Sequence, residues 1–349
     1  MKRRLLQWMA CPECRSPDLT LETRRTEQRP VTRGHFTPDE GEPPGVNLAN
    51  REETEILEGA IHCSACASSW PIVDGIPRML GAEDAEGPRT AHRWTTFDSA
   101  VSEWEENFLD LASPLQPGDF LGKVVLDAGC GYGRHAYFAA RYGAEVIALD
   151  SSGDAVAATA ANTRDLGRVH VIQGSLLKPP LREQGVDLAY SYGVLHHIEQ
   201  PERAFEAIGE VVRAGGQVSV WVYGPRQGVT LLASNAIRGM TTAMDPEDLH
   251  RMSRMVARGL RLFSHTPYVL LHSVPVAGDV VRHLPVHDHH RWPFDVVVAD
   301  IYDRLRIPVR HWFTQAQLEV LLTDAGYADV RVSRRVRNNE SFRALGTRR

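Results

Sequence analysis

The chain has 349 residues, 43% hydrophobic and 24% charged, with a formal net charge of −5. These are ordinary globular values, and the length suits one large domain plus a small one. The acidic balance argues against broad nucleic-acid binding, and no apolar run approaches the roughly 18 residues needed to span a bilayer.

The start, MKRRLLQWMACPEC, joins basic residues to a short apolar patch. It has neither the apolar core nor the small-residue cleavage site of a signal peptide, so a cytoplasmic location is expected. Five cysteines are present: Cys11, Cys14, Cys63, Cys66 and Cys130. Four form two Cys-x-x-Cys pairs, and neither pair opens a helix in a βαβ pattern as a thioredoxin-like device requires. Structural disulfides do not suit a reducing compartment. Two such pairs close a tetrahedral shell with no open position, which predicts a structural zinc site at Cys11, Cys14, Cys63 and Cys66. The 48 residues between Cys14 and Cys63 have room for a strand out, DLTLETRR, and a strand back, TEILEGAIHC. Between them a Pro-, Gly- and charge-rich stretch predicts a mobile loop at about 29–53.

The order CPEC, ILEGAIHCSAC, SWPIVDGIPRML resembles the zinc-ribbon family of tRNA-methyltransferase activator subunits, over about residues 5–80. The resemblance implies a domain at 1–80 that offers a surface to a protein partner or stabilises the rest of the chain. GAEDAEGPRT, residues 81–90, reads as a linker. HRWTTFDSAVSEWEENFLDLA follows with a helical pattern.

In KVVLDAGCGYGRHAYFAARYGAEVIALD an apolar strand runs into a glycine turn, a helix and a second strand ending in Asp150. Gly129, Gly131 and Gly133 let the backbone approach a ligand, and the free N–H groups of the following helix face the same way. A dinucleotide loop would place a third glycine where Arg134 stands. VVLDAGCGYG followed by VIALD resembles the S-adenosylmethionine loop of class I methyltransferases. The chain continues as that family does, through VHVIQGSLLKPP, GVDLAYSYGVLHHIEQPERAF and VVRAGGQVSVWVY to HWFTQAQLEVLLTDAGYADVRV. The LHHIEQP segment is similar to the ubiquinone-biosynthesis-like members. The implied fold is α/β: a Rossmann-like sheet with helices on both faces at 91–349, beside the small N-terminal ribbon, with a helical lid inserted at about 225–310.

The resemblance also implies roles. Asp150 accepts the ribose hydroxyls of S-adenosylmethionine, with Ser151 near the adenine. Gly129, Gly131 and Gly133 pass beneath the methionine half, where Asp127 orders the loop or meets the α-ammonium; Ser191 belongs to the same cofactor set. Gly174, Ser175 and Leu176 stand where the family has an acid for the adenine amino group, so this chain departs from the pattern there. Trp94 and Phe97 are cap candidates. His196 and His197, at the mouth of the fourth strand, are candidate proton acceptors because imidazole titrates near neutrality; Tyr192 is an alternative.

In the insertion Asp245 is a predicted helix cap. His283, His287, His289 and His290 are candidates for a second metal, and Asp288, Asp295, Tyr302 and His311 for acceptor contacts. The expected function is methyl transfer to an O, N or C nucleophile of a small-molecule acceptor. The alternatives are a methyltransferase acting on RNA or a translation-related protein, and a non-catalytic binding module. SYGV stands where an amide methyltransferase would carry an Asn-Pro-Pro-Tyr type motif.

Overall fold

The computed structural model describes residues 1–30, 52–81, 84, 102–225, 239–241, 243–306, 311–335 and 341–349. It comprises two compact units. The first is Met1–Pro225, His311–Arg335 and Glu340–Arg349, and the second is Arg226–Arg310 with Val336–Asn339.

The first unit opens with a 3-10 helix, Arg3–Trp8. An antiparallel meander of β1 (Leu19–Pro30), β2 (Glu52–Cys63), β3 (Ser69–Val73) and β4 (Ile76–Pro77) follows. β3 alternates, with Trp70 and Ile72 inward, as a half-buried strand should. Asp74 and Gly75, at φ 51° and 80°, make the left-handed pair that a tight hairpin turn demands. β1 and β2 extend through Pro30 and from Glu52. The expected loop at 29–53 is therefore strand at both ends, and the rest, 31–51, lies outside the described residues.

A second sheet holds seven strands: β5 (Val124–Ala128), β6 (Glu145–Asp150), β7 (Val169–Gln173), β8 (Val186–Tyr192), β9 (Val212–Tyr223), β10 (Tyr327–Arg334) and β11 (Ser341–Arg348). Their spatial order is β10-β11-β9-β8-β5-β6-β7. β5 to β9 are parallel, and β11 is antiparallel to both β9 and β10. This inserted reversed strand on an otherwise Rossmann-like order is the class I methyltransferase sheet expected from the motifs. β5 and β6 are buried on both faces, hence their unbroken apolar runs. The chain winds from β5 towards β7 and then crosses to β8, so the topological switch lies at the carboxyl end of β5, where open α/β sheets bind ligands. The helices of this unit are α1 (Ser102–Ala112), α2 (Arg134–Arg141), α3 (Gly153–Asn162), α4 (Pro201–Val211) and, after those of the second unit, α9 (Gln315–Asp324). On α1, Asp110 accepts from Arg335 and Arg343 at 2.5 and 3.1 Å, and Phe108 joins a ring cluster with Phe120, Phe138 and Tyr190.

The ribbon packs directly on the β7 edge. The Met79 amide donates to the Gln173 carbonyl at 2.7 Å, and Arg78 bridges Gln173 in parallel. Ala10 donates to Pro180 at 3.2 Å and Arg182 to Trp8 at 2.8 Å. Lys2 Nζ donates to the carbonyls of Gly167 and Val169, at 2.6 and 3.1 Å. Arg4 and His170 converge on Glu145 at 2.6 and 2.5 Å, with the Trp8 ring 5.5 Å from His170. Burial pushes the His170 pKa down to about 4, so the ring is neutral at pH 7. Leu5, Met9 and Met79 of the ribbon share one core with Leu149, Ile172 and Leu181 of the sheet. Of the expected linker, Gly81 and Asp84 are described, joined by an N–H to carboxylate bond of 3.0 Å; the others lie outside the described residues.

In the second unit, Asp245 accepts from the Glu247 amide at 2.8 Å and starts α5 (Pro246–Leu260), as its sequence predicts. A π-turn at Arg261–His265 leads into α6 (Thr266–Leu271), and α7 (Ala277–Val281) and α8 (Phe294–Arg306) follow. α5 and α8 pack through Ala257, Val297, Val298 and Ile301.

Because ribbon and sheet share a core, Met79→Ala is expected to cost about 2–5 kcal/mol. It should lower one transition common to both. Thermal unfolding followed by near-UV signals from ribbon and sheet tryptophans checks this. A ribbon that melts separately, leaving the sheet untouched, contradicts it.

Candidate functional site

The turn after β5 is built for a close ligand. Gly129, Gly131 and Gly133 have φ of 90°, 54° and 85°, a region closed to most side chains. A Cβ on Gly129 would lie 2.4 Å from Val194, and one on Gly133 would lie 2.9 Å from Thr159. At Gly131 it would meet nothing within 4 Å, so this residue presents bare backbone to an open face. The turn is pinned from behind. The amides of Gly129 and Cys130 donate to the Leu149 carbonyl at 2.8 and 3.0 Å, and Thr159 Oγ1 and Asn162 Nδ2 donate to the carbonyls of Gly131 and Tyr132, both at 2.8 Å. Cys130 is buried against Thr159, 3.5 Å away, which accounts for the fifth cysteine as packing.

Two carboxylates flank the turn, and they differ in their hydrogen-bond partners. Asp150, at the end of β6, accepts from the Gly131 amide at 3.0 Å and the Ser152 amide at 2.9 Å. Its burial raises its pKa, and these backbone donors counteract the rise. Asp127 is 1% exposed, and its Oδ2 has no hydrogen-bond partner among the described residues. Burial pushes its pKa up to about 8. A buried acceptor without a donor is costly, and a cationic group entering the crevice would satisfy it. Bare backbone at Gly131, a buried acid with one unpartnered oxygen and a partnered acid at a β6 terminus suit the ammonium and ribose ends of S-adenosylmethionine.

The other expected cofactor residues divide. Ser151 offers its carbonyl to Gln173 Nε2 at 3.0 Å. The Gly174 amide donates to the Asp150 carbonyl at 3.0 Å, and a Cβ there would crowd Leu149 and Pro180. Ser175 is buried, its hydroxyl accepting from the Leu177 amide at 3.2 Å, and Leu176 is buried beside it. Ser191 is buried and donates to the Ala128 carbonyl at 2.8 Å, supporting the turn from the neighbouring strand. Thr159, Asn162 and the α3 cap Ser152, which accepts from Ala155 at 3.3 Å, were absent from the sequence reading. They lie 19 to 29 residues past Gly133, beyond α2 and β6, where no motif marks them. Trp94 and Phe97 lie outside the described residues. Arg134, in the place of a third dinucleotide glycine, lays its guanidinium 4.3 Å from the Trp104 ring centroid.

At the carboxyl end of β8, His196 is fully buried, its ring 4.2 Å from those of His197 and Tyr223. His197 is half-buried. The Tyr192 hydroxyl bonds Ser219 at 2.9 Å inside the core. The His311 amide donates to the His196 carbonyl at 3.1 Å.

The four paired cysteines converge. Cys11 and Cys66 Sγ are 3.5 Å apart, Cys14 and Cys63 Sγ 3.6 Å, and all four lie within 4.8 Å of one another. A tetrahedron of Zn–S bonds of about 2.3 Å has edges of roughly 3.8 Å, so the set fits that ion. The two knuckles repeat one backbone pattern. Cys11 donates to Ser16 and Arg15 to Cys11, both at 2.9 Å; Cys63 donates to Ser68 at 2.9 Å and Ala67 to Cys63 at 3.0 Å. Arg15 and Ala67 are both left-handed, at φ 64° and 60°.

Among the described residues only these cysteines bring three or more ligand groups together. Three of the insertion histidines are otherwise engaged. His287 and His290 turn Nδ1 to backbone carbonyls at 3.0 Å, and His289 stacks on Trp292 at 3.6 Å. His283 is exposed, Asp295 pairs with Arg254 at 3.1 Å and Tyr302 is buried. The Asp288 side chain lies outside the described set.

Residues 126–220 match a family model described as a methyltransferase domain, and residues 2–75 one described as Trm112p-like protein. The ubiquinone biosynthesis O-methyltransferase of Cronobacter sakazakii is 28% identical over 154 residues, 39% of this chain and 63% of its own length. Probable tRNA methyltransferase 9B of Mus musculus is 33% identical over 130 residues, 34% of this chain and 28% of its own. An S-adenosylmethionine-dependent methyltransferase structure from Mesorhizobium loti overlaps 71% of this chain and 99% of its own, at 18% identity and a TM-score of 0.42. The chain spans less than two thirds of the length of these curated relatives. Residues 126–220 thus resemble a methyltransferase domain, and residues 2–75, earlier in the same chain, resemble a Trm112p-like protein.

Proposed function

We propose that the chain is an S-adenosylmethionine-dependent methyltransferase whose acceptor is an O, N or C nucleophile of a small molecule or biosynthetic intermediate. The observation that carries this reading is the open backbone at Gly131 between the partnered Asp150 and Asp127, whose Oδ2 has no partner among the described residues. When bound, the cofactor supplies an electrophilic sulfonium methyl. The chain supplies position: Asp150 holds the ribose hydroxyls, Asp127 meets the α-ammonium, and the pinned turn keeps both at fixed distance. Holding reactants in near-attack geometry accounts for about 7–11 kcal/mol of a barrier. Of the two histidines, the half-buried His197 is assigned the proton-accepting role, and the fully buried His196 backs it. The O-methyltransferase relative supports the small-molecule class. The tRNA methyltransferase relative and the Trm112p-like match support the second reading, an RNA or translation-related acceptor, against which the net charge of −5 weighs. The four thiolates would hold zinc with no open coordination position, so its part is structural.

Isothermal titration should show one S-adenosylmethionine per chain. Asp150→Ala should weaken binding at least tenfold, as loss of charged hydrogen bonds worth about 1.5–3 kcal/mol requires; unchanged affinity would remove Asp150 from the ribose site. Methyl transfer from labelled cofactor to total small-molecule extract, and not to total tRNA, separates the two acceptor readings.

Asp127 sets a pH signature. Its raised pKa of about 8 stabilises the unliganded fold fully below the unfolded value near 3.9, and that contribution fades as pH rises towards 8. A bound ammonium favours the carboxylate, so binding between pH 6 and 7.5 should release a proton. Titration in two buffers of different ionisation enthalpy reads that proton, and Asp127→Asn should abolish it. Elemental analysis should find one zinc per chain, lost in Cys63→Ser together with thermal stability; a fully folded metal-free wild type would refute the site.

A further inference from the structure

Resting on the cofactor reading above, we propose that Gln173 is a positioning residue through which the ribbon sets the ribose-binding turn. Gln173 ends β7, paired in register with Asp150 of β6, and is 8% exposed. Its Oε1 accepts from Arg78 at 3.1 Å, and its Nε2 donates to the Ser151 carbonyl at 3.0 Å. The partners fix the orientation of the amide: guanidinium only donates and a carbonyl only accepts, so a flipped amide would lose both bonds. Ser151 stands between Asp150 and Ser152, whose amide binds Asp150 Oδ1. One side chain thus spans from the ribbon to the backbone that aims the Asp150 carboxylate.

The ribbon side of this span is itself tied down. The Arg78 amide donates to the Pro71 carbonyl at 2.9 Å, and Pro71 pairs with Ala60 on β2, three residues before the ligand Cys63. Main-chain bonds repeat the attachment at both ends. Met79 donates to the Gln173 carbonyl at 2.7 Å, and Gly174 to the Asp150 carbonyl at 3.0 Å. The strand therefore stays docked when the side chain is changed, which separates positioning from docking. Removing only the Nε2 donor should loosen Ser151 while the ribbon remains in place.

The test uses the full-length protein and S-adenosylhomocysteine as probe, with affinity by calorimetry and the melting temperature of the unliganded protein measured together. Gln173→Glu keeps an acceptor for Arg78 and puts a second acceptor against the Ser151 carbonyl. It is expected to weaken binding about tenfold or more with little change in melting temperature. Arg78→Leu, which removes the other bond, should weaken binding in the same direction. Asp150→Asn combined with Gln173→Glu should lose less than the product of the two single losses, because both act through one carboxylate. Wild-type binding with unchanged affinity in Gln173→Glu and Arg78→Leu would overturn the proposal alone. Multiplicative losses in the double variant would also overturn it, by showing independent effects. No binding by the wild type would overturn both the proposal and the cofactor reading.

Discussion

The free edge of a parallel sheet is the constraint from which the rest of this structure follows. Edge strands offer unpaired N–H and C=O groups, and parallel strands are apolar on both faces, so an uncovered edge is a liability. At the β10 end the sheet closes with an antiparallel pair. At the β7 end the described residues add no further strand to it, and the ribbon packs there. The Met79 amide and the Lys2 ammonium occupy β7 and adjoining carbonyls, while Leu5, Met9 and Met79 fill the apolar side. β6 and β7 carry the Asp150 turn and its neighbour at 174–176, so the covered edge lies one strand from the turn proposed to hold the cofactor.

The crevice keeps two carboxylates in different electrostatic conditions. Asp150 receives two backbone donors, whereas Asp127, on the adjacent strand, has an oxygen that the described protein does not satisfy. On the proposed reading, such a split, one acid for neutral hydroxyls and one for a cation, would let the site distinguish the ends of an asymmetric ligand. The pins behind the glycine turn, Thr159 and Asn162, let the turn stay left-handed at three positions without side chains of its own.

Much of this was legible in the chain because it is local. Glycines at alternate positions, an acid ending an apolar run and two Cys-x-x-Cys pairs each state their geometry within a few residues. The structure differs where the information is non-local. β11, SFRALGTR, has few β-branched residues and a glycine, so its own propensity is weak; it is a strand because it fits between β9 and β10, where Gly346 lets Tyr327 approach. The backbone bonds of Ser175 and Ser191 could not be read either, since a serine looks the same in a sequence whatever its hydroxyl meets. Gln173 carried no motif at all. Its meaning depends on Arg78, almost a hundred positions earlier.

Covering β7 with a segment of the same polypeptide has a consequence beyond structure. Where an activator-type ribbon is a separate molecule, its occupancy depends on concentration and on balanced synthesis of two products. Here the docking is unimolecular, so the linker's effective concentration replaces the bulk one. Dilution does not strip the edge, other sheets do not compete for the ribbon, and the ratio of the two parts is settled at translation.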